Sequence, residues 1–504
     1  MLRILLLSIC GILPALLSAQ LSDRVWLAGF NEFPGVPGYG HAMLRLQGDS
    51  VAVTPENLAF NFESTSAVAT DTAGQVLFYS NGCSVANRLH QIMPHGDQLN
   101  PGDISAQVCP QTGYIVPQGA MVLPAPGHSD QYYLIHLGAT YDPVHKLNMG
   151  PLYYSLVDMS LEGGLGDVIS KNNIILSGTE LGGFTAIRHG NGRDWWVIAS
   201  ALSDHAWFTF LVTPEGISSR PVQQIQHFWP VCEKNGALAA SPDGTRLAKW
   251  GECKVLQMDF DRCTGAINYS AEILTPTQWI PGGGVAYSPS GRYLYATSHN
   301  VLFRADLEAQ VAKFDTLRFS YDPFLLSPYF VRGNSFHYLI NGSDGRIYGN
   351  LPSRARQLHV IDNPEAADIA ELVFLPRGLK LSVTNVRTLP FFPNYALYDA
   401  PGSVCDSLGI NTPTSVHEYV DGLTSNIQLY PNPSSHEVTI DAGDTGIQQV
   451  RIRNAWGYEV QSNHPSAKDG RLHLPLGDLP AGMYVAGIQL ENGKWVSKVF
   501  VIAR

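Results

Sequence analysis

The chain has 504 residues, of which 45% are hydrophobic and only 15% are charged, so it has enough apolar side chains for a sizeable core and is not wholly disordered. Its formal net charge is -11 and no basic run is present, which argues against a nucleic-acid partner. The high counts of glycine (48) and proline (33) indicate many turns and favour an all-β fold over a helical one.

The first residues have the pattern of a secretory signal peptide, assigned to residues 1–19. A short basic start at Arg3 precedes an apolar run over residues 4–17, and small residues follow it. The run is too short to span a bilayer comfortably, so a signal peptide is favoured over a membrane anchor. We expect cleavage between Ala19 and Gln20, and no membrane span in the mature protein.

A turn motif of the Ser-Pro-Asp-Gly type recurs after this leader. Proline presets the first turn position, aspartate or asparagine caps the turn, and glycine accepts a positive φ. A strand rich in aromatic or β-branched residues follows each copy, which is a repeated hairpin signal. The copies lie at 70–74, 127–130, 189–192, 241–244, 288–291 and 342–345.

The spacing of these turns indicates the architecture of residues 20–400. The best copies recur about every 50 residues, which is the period of a propeller blade made of several short strands. This period predicts an all-β fold, a β-propeller of about seven blades, with six or eight left open. We expect a composite seventh blade, in which a strand at 25–28 pairs with a late strand near 372–375 and leaves no free sheet edge.

The cysteines fit an exported chain. Six remain once the signal peptide is removed, and an even number suggests disulfides. None forms a C-x-x-C pair, which weakens a zinc or redox interpretation. We expect at least two bridges, with Cys83–Cys109 and one bridge involving Cys253 as first choices, although the sequence leaves the connectivity open. The candidates are Cys83, Cys109, Cys232, Cys253, Cys263 and Cys405.

The chain changes character near residue 401. Residues 401–426 lack periodicity and are rich in glycine, serine, threonine and proline, which is typical of a linker. Residues 427–504 contain short strand-like runs separated by Asn-Pro, Trp-Gly, Ala-Gly and Asn-Gly turns. This pattern predicts a small C-terminal β-sandwich with Greek-key character.

Two boxes in this last segment carry a family resemblance. An opening Leu-Tyr-Pro-Asn-Pro box and a closing Leu-Pro-Ala-Gly-Met-Tyr-Val box occur in order at the chain end. The residues concerned are Tyr430, Pro431, Asn432, Pro433, Gly457, Gly482, Tyr484 and Lys498. On these residues the segment resembles the type A sorting domain of the Bacteroidetes type IX secretion system.

The resemblance implies a route for the chain. It would pass through the periplasm, be handled by the type IX machinery, and be secreted or displayed on the outer-membrane surface. The resemblance also implies removal of the sorting domain and, in many members, attachment to surface lipopolysaccharide.

The body resembles the WD-like and periplasmic-type propeller proteins that Bacteroidetes export with such domains. The runs at 77–82, 152–159 and 389–395 and the turn at 241–244 carry this similarity. It implies no defined activity.

The sequence contains no recognised catalytic or metal-binding motif. Its 16 histidines include no H-E-x-x-H pattern, and there is no G-x-S-x-G elbow or Walker loop. His90 and His95 are interpreted as solvated loop residues rather than metal ligands. Asp259 and Asp261 have the alternation of an acid–base pair, but a turn before Cys263 is the favoured interpretation. We therefore predict no catalytic residue, metal or cofactor.

These observations favour an exported binding or interaction protein with an unknown extracellular ligand. A propeller gathers loops at both ends of a rigid channel, which suits recognition. One alternative is a propeller-fold extracellular hydrolase, lactonase-like or glycan-active, and another is a structural surface protein. The side chains at the channel mouth distinguish them, because an enzyme needs convergent carboxylates or a metal there.

Overall fold

Antiparallel β-strands form nearly all of the regular structure, so the predicted all-β class is confirmed. The computed structural model describes residues 23–503 except 49, 142–146, 203–204, 226–236, 252–253, 275–282, 299–300, 319–335, 352–353, 409–426, 444, 455–458, 464–469, 478 and 492–494. The chain divides into two units, residues 1–411 and residues 412–504, which are described separately. The predicted signal peptide and its cleavage point between Ala19 and Gln20 lie outside the described residues.

The first unit contains seven antiparallel sheets within its described residues, and each sheet is a meander of strands consecutive in sequence. Sheet one is β1 (Val25–Phe30), β2 (Gly40–Gln47) and β3 (Ser50–Glu56); sheet two is β4 (Ala67–Thr70), β5 (Val76–Ser80) and β6 (Val85–Asn87); sheet three is β7 (Ala120–Pro124), β8 (Gln131–Tyr141), β9 (Leu147–Asp158) and β10 (Asp167–Leu176). Sheet four is β11 (Leu181–Arg188), β12 (Trp195–Ala201), β13 (Ala206–Thr213) and β14 (Gly216–Ser219), with β15 (Gln223–Gln224) also pairing with β13.

The remaining three sheets of this unit have four strands each. Sheet five is β16 (Leu238–Ala240), β17 (Arg246–Gly251), β18 (Lys254–Phe260) and β19 (Ile267–Leu274); sheet six is β20 (Val285–Tyr287), β21 (Tyr293–Ser298), β22 (Val301–Asp306) and β23 (Phe314–Arg318); sheet seven is β24 (Leu339–Asn341), β25 (Ile347–Gly349), β26 (Ala355–Ile361) and β27 (Phe374–Asn385). A short helix, α1 (Asp103–Val108), and a 3-10 turn, Ile369–Glu371, complete the described elements. Neither is long and apolar enough to cross a membrane.

Each of the six predicted turns joins the first two strands of one sheet, from sheet two to sheet seven. Gly244 and Gly291, at the ends of the two best copies, have φ of 71° and 76°. Their N–H groups donate to the carbonyls of Ser241 and Ser288 at 2.9 and 2.8 Å. The sequence repeat therefore corresponds to one local structure, the tight turn between the first and second strands of each of these meanders.

Neighbouring sheets of the first unit bring their first strands together. β1 lies beside β4, β4 beside β7, β11 beside β16, β16 beside β20, and β20 beside β24. Apolar side chains fill the space between sheets. For example, the ring centroids of Trp250 in sheet five and Phe303 in sheet six are 6.5 Å apart. The core is thus a succession of layers between sheets rather than one central mass.

The predicted composite blade is wrong. β1 pairs with β2 along its whole length, and β27 pairs with β26. Sheets seven and one instead meet through side chains, with Trp26, Leu381 and Val383 in one cluster. The backbone N–H of Thr384 and its hydroxyl both donate to the carbonyl of Gly38 at 2.8 Å. In the described residues, side-chain packing and a loop contact join these sheets without a shared ladder.

A buried polar network ties the segment between β6 and β7 to sheet three. The ring of His136 contacts Asn100 Oδ1 at 2.7 Å and Ser155 Oγ at 2.9 Å. The amide N–H of Asn100 donates to Asn172 Oδ1 at 3.1 Å, and the N–H of Asn172 donates to Ser155 Oγ. The Asn100 oxygen is an acceptor, so Nδ1 of His136 carries the proton and Nε2 accepts from Ser155. Every member has a partner only while the imidazole is neutral.

This network makes stability depend on pH. Burial lowers the pKa of His136 to about 3, from 6.5. Between these values only the unfolded chain binds the proton, so stability falls as pH drops below 6.5, by up to about 1.4 kcal/mol per pH unit. We expect His136→Gln to weaken this dependence between pH 6.5 and 4. Urea unfolding followed by tryptophan fluorescence at several pH values measures it. His128→Gln, at an exposed histidine, should keep the wild-type slope, and an unchanged slope in His136→Gln would contradict the assignment.

Within its described residues, the second unit consists of two antiparallel sheets. One contains β28 (Gln428–Tyr430), β29 (Glu437–Asp441) and β32 (Arg471–Pro475); the other contains β31 (Glu459–Asn463), β30 (Ile447–Asn454), β33 (Gly482–Leu490) and β34 (Trp495–Ile502), in that order. Both sheets contribute side chains to one buried cluster, including Val438 and Ile440 from the first and Val450, Ile488 and Phe500 from the second. This unit therefore has a core of its own.

Candidate functional site

A cavity of about 450 Å³ lies where the first strands of sheets four to seven converge. Apolar side chains from these strands line it, together with the turns that follow β16, β20 and β24, each of which contains a glycine with positive φ. Ile187, Leu238, Val285 and Leu339 each come from a different sheet. The volume lies in the range of small-molecule sites. We call it the axial cavity.

A segment after β27 forms one wall of the axial cavity. This crossing strap, residues 386–405, contributes Phe391, Phe392, Asn394 and Leu397 to the lining. It has no regular strand, yet Phe391 and Tyr395 are buried. The strap therefore belongs to the core of the first unit and is not the beginning of a free linker.

The strap is held by sheets three and four and by Ser66, which directly precedes sheet two. The N–H of Phe391 donates to the carbonyl of Ser66 at 3.3 Å, and the ring of Phe391 packs edge-on against Phe184. The hydroxyl of Tyr395 donates to the carbonyl of Val122 at 2.7 Å, and burial raises the pKa of this phenol well above 10. These contacts position the cavity wall against two sheets and the start of a third.

Two arginines hold the rest of the strap. The guanidinium of Arg188 lies 4.2 Å from the ring of Trp195 and donates to the carbonyl of Tyr395 at 3.2 Å. Arg262 donates to the carbonyls of Arg188 and Tyr398. Burial lowers the pKa of each arginine to about 10, so both remain charged at neutral pH. Among the described residues, neither guanidinium has a carboxylate within 4.0 Å. Backbone carbonyls accept its hydrogen bonds instead.

A disulfide fixes the end of the strap. Cys405 is joined to Cys263, which follows β18 in sheet five. Cys83 is joined to Cys109, the pair expected from the sequence. The Cys263–Cys405 bridge was not among the first choices, and the other candidates, Cys232 and Cys253, lie outside the described residues. The pairing of Cys405 could not be predicted from local sequence, because its partner is 142 positions away.

The axial cavity has a polar end. Among the described residues that line it, the charged ones are Asp23 and Arg24. Asp23 is half-buried and Arg24 is exposed. Burial raises the pKa of the Asp23 carboxyl, and Asp344 nearby raises it further, while Arg24 opposes both effects. Gln118 also lines the cavity, in a left-handed backbone conformation with φ of 49°. Sequence reasoning singled out none of these three residues.

Of the two aspartates predicted to lie before a turn, Asp259 and Asp261, only Asp261 caps it. Asp261 Oδ1 accepts from the N–H groups of Cys263 and Thr264 at 2.8 and 3.3 Å, and Oδ2 accepts from the Thr264 hydroxyl. Its carboxylate is thus occupied in capping. Asp259 is exposed on β18 and is not part of the cavity lining.

His90 and His95, the two histidines considered as metal ligands, have different partners. His90 meets the hydroxyl of Tyr79 at 3.1 Å, and His95 meets Asp167 at 3.0 Å. Over the described residues, no three histidine, cysteine, aspartate or glutamate side chains converge in a group able to hold a metal ion.

The opening box of the C-terminal unit meets its terminal strand. Asn432 Oδ1 accepts from the N–H of Val501 at 2.9 Å, and Ser434 exchanges backbone hydrogen bonds with Val501 and Ala503. The Tyr430–Pro431 and Asn432–Pro433 peptide bonds are cis. The two ends of the predicted motif are therefore neighbours in the folded unit.

The closing box lies on β33 beside the same terminal strand. Gly482 pairs with Ile502, and Tyr484 packs against Phe500 and donates to the carbonyl of Pro480 at 2.8 Å. Lys498 lies on β34 opposite Ala486. Gly457 lies outside the described residues.

Comparison with known proteins identifies the C-terminal unit. Residues 428–502 match the family described as the secretion system C-terminal sorting domain. The predicted recognition of a type IX secretion cargo is thereby confirmed. No curated protein matches the chain.

Solved structures resemble the chain at low sequence identity. A protein of Bacteroides fragilis, provisionally named a 6-phosphogluconolactonase, is 11% identical with a TM-score of 0.45, covering 73% of this chain and 97% of its own. PorZ of Porphyromonas gingivalis, a surface component of the type IX secretion system, is 12% identical with a TM-score of 0.32, covering 92% and 63%. The Cps50 (Swd1) β-propeller domain of Myceliophteria thermophila is 10% identical with a TM-score of 0.34, covering 65% and 93%. At these values the likeness gives no information on activity or ligand.

Proposed function

We propose that the chain is an exported binding protein, displayed on the cell surface or secreted, whose propeller body takes a ligand in the axial cavity. The body is residues 20–400, with seven blades corresponding to the seven meander sheets. A signal peptide, residues 1–19, starts export. A linker, predicted at 401–426 and here taken to begin after the crossing strap at residue 406, leads to the sorting domain, residues 427–504, a β-sandwich that the type IX machinery recognises and removes. Surface lipopolysaccharide is the proposed point of attachment after removal.

The axial cavity is the observation that carries the binding role. Strands and turns from four sheets line it, and the crossing strap supplies another wall. A site built from several rigid elements keeps its shape without a ligand, which lowers the entropy cost of binding. A purely structural surface protein has no need of such a space.

The electrostatics of the cavity favour binding over hydrolysis. A hydrolase of the lactonase-like or glycan-active type needs paired carboxylates or a metal beside the substrate. The described lining has one carboxylate, that of Asp23, and Asp261, whose alternation with Asp259 is compatible with an acid–base pair, caps a turn as the sequence favoured.

Blocking the cavity tests the proposal. Ala239 on β16 is a half-buried lining residue, and Ala239→Phe should fill part of the space. We expect a library of small polar and aromatic fragments, screened by ligand-detected NMR, to give hits with the wild type that are lost in this variant. Ala309→Phe, at an exposed position, should retain them. Hits that persist in Ala239→Phe, or an absence of hits with the wild type, would contradict a ligand role for the cavity.

A further inference from the structure

We infer that the ligand of the axial cavity carries a cationic amine or guanidinium group, held by Asp23, on an apolar body that lies against the crossing strap. This inference rests on the proposed function, because it names the chemical class that the proposed site would take. Four features of the cavity support it.

The first feature is a carboxylate without a counter-ion among the described residues. Asp23 is half-buried, and its side chain has a hydrogen bond from its own backbone N–H but none from another described residue, and no described cation lies within 4.0 Å. A carboxylate that has lost part of its water and has only one hydrogen bond is unfavourable until a cation approaches it. Burial raises the pKa of Asp23 for this reason. A bound ammonium group would supply the missing counter-charge.

The second feature is the sign of the local field. Asp344 lies close enough to Asp23 to raise its pKa further, so two acidic groups act at this end of the cavity. Asp344 is itself satisfied, because it accepts from the Tyr348 hydroxyl at 2.5 Å and lies 3.5 Å from Arg346. Arg24 is exposed, so water screens its charge more effectively than that of half-buried Asp23. The end of the axial cavity at Asp23 is therefore less hydrated and attracts cations.

The third feature is Gln118. It has φ of 49°, in a region that side-chain-bearing residues rarely adopt, and its carboxamide has no partner among the described residues. The flanking backbone is fixed, since Thr65 Oγ1 donates to the carbonyl of Val116 at 2.6 Å and Leu137 N–H donates to the carbonyl of Gly119 at 2.8 Å. Unfavourable backbone conformations held by firm surroundings are typical of binding sites. The amide oxygen of Gln118 can accept a second hydrogen bond from an ammonium group.

The fourth feature is the apolar wall. Phe392 and Leu397 of the strap and Ile340 of β24 are half-buried and line the same cavity. An aromatic or aliphatic ligand body would cover them and remove their remaining surface from water. A cation on an apolar body thus uses both halves of the site.

Three probes of one shape and different charge test the inference. Phenethylamine, 2-phenylethanol and 3-phenylpropionate share the phenyl ring and differ in the group that would meet Asp23. Calorimetry with the mature protein should give phenethylamine at least about tenfold higher affinity than the other two, the usual order for a charged hydrogen bond. Its affinity should fall as the pH drops through the pKa of Asp23, because protonation removes the attraction.

Asp23→Asn is the decisive variant. It should reduce the affinity for phenethylamine to that for 2-phenylethanol and leave 2-phenylethanol unchanged, while Asp315→Asn, at an exposed position, should alter neither. Equal binding of the three probes, or undiminished phenethylamine binding in Asp23→Asn, would overturn the inference and leave the binding role intact. Failure of all three probes to bind the wild type would also overturn the inference, and the fragment screen would then decide whether the binding role itself fails.

Discussion

Deleting residues 427–504 should leave a folded body that stays in the periplasm of its native host. The deletion removes the unit that matches the sorting domain and takes no strand from the seven sheets, because β1 to β27 all pair within the first unit. The second unit has its own core, and the buried clusters of the first unit contain no residue from it. We therefore expect loss of delivery without loss of folding.

Cell fractionation with external protease measures this result. The truncated protein should be found in the periplasmic fraction, protected in intact cells, with the thermal unfolding temperature of the mature body. A full-length chain in which residues 412–426 of the linker are replaced by a Gly/Ser segment of equal length is the matched control and should still leave the periplasm. Truncated protein on the surface in wild-type amounts would contradict the sorting assignment.

Removing the bridge between Cys263 and Cys405 should destabilise the first unit by about 5 kcal/mol, on the chain-entropy account of a closed loop this long. The two cysteines are 142 positions apart, so the bridge restricts a large part of the unfolded chain. It also fixes the end of the crossing strap, which lines the axial cavity. A loss of this size is a large fraction of the stability of most proteins.

The comparison with the second bridge makes the test specific. Cys83 and Cys109 are 26 positions apart, so their removal should cost less, about 3.5 kcal/mol by the same account. Denaturant unfolding of Cys263→Ser/Cys405→Ser and Cys83→Ser/Cys109→Ser, each a double variant without a new free thiol, gives both values. If removal of the Cys263–Cys405 bridge lowers the free energy of unfolding by no more than removal of the other bridge, fixing the end of the strap contributes little to stability.

The parts of the fold that local chemistry determines could be predicted from the sequence. A turn such as 241–244 depends on a proline, an aspartate and a glycine within four positions, and its geometry is the same wherever it occurs. The sorting-domain boxes are likewise short and lie close together in the folded unit. These features need no knowledge of distant residues.

The parts that depend on distant contacts could not be predicted in this way. The strand at 25–28 has the composition of a central strand, which left its partner open. It pairs with β2, and its position beside sheet seven depends on how the side chains of the two sheets pack. Tyr395 looked like one aromatic residue in a run, yet its partners, Val122 and Trp195, come from two other sheets. Asp23 and Gln118 line the same cavity only because the first strands converge, which no spacing in the sequence indicates.

The most direct test of the account is peptide mapping by mass spectrometry of the protein recovered from the surface or the culture medium. If the chain is a type IX cargo whose sorting domain is removed, the mature form should begin at Gln20 and end between residues 401 and 428, with peptides from 472–504 absent. Peptides from 472–504 that remain covalently part of the surface protein would contradict the account.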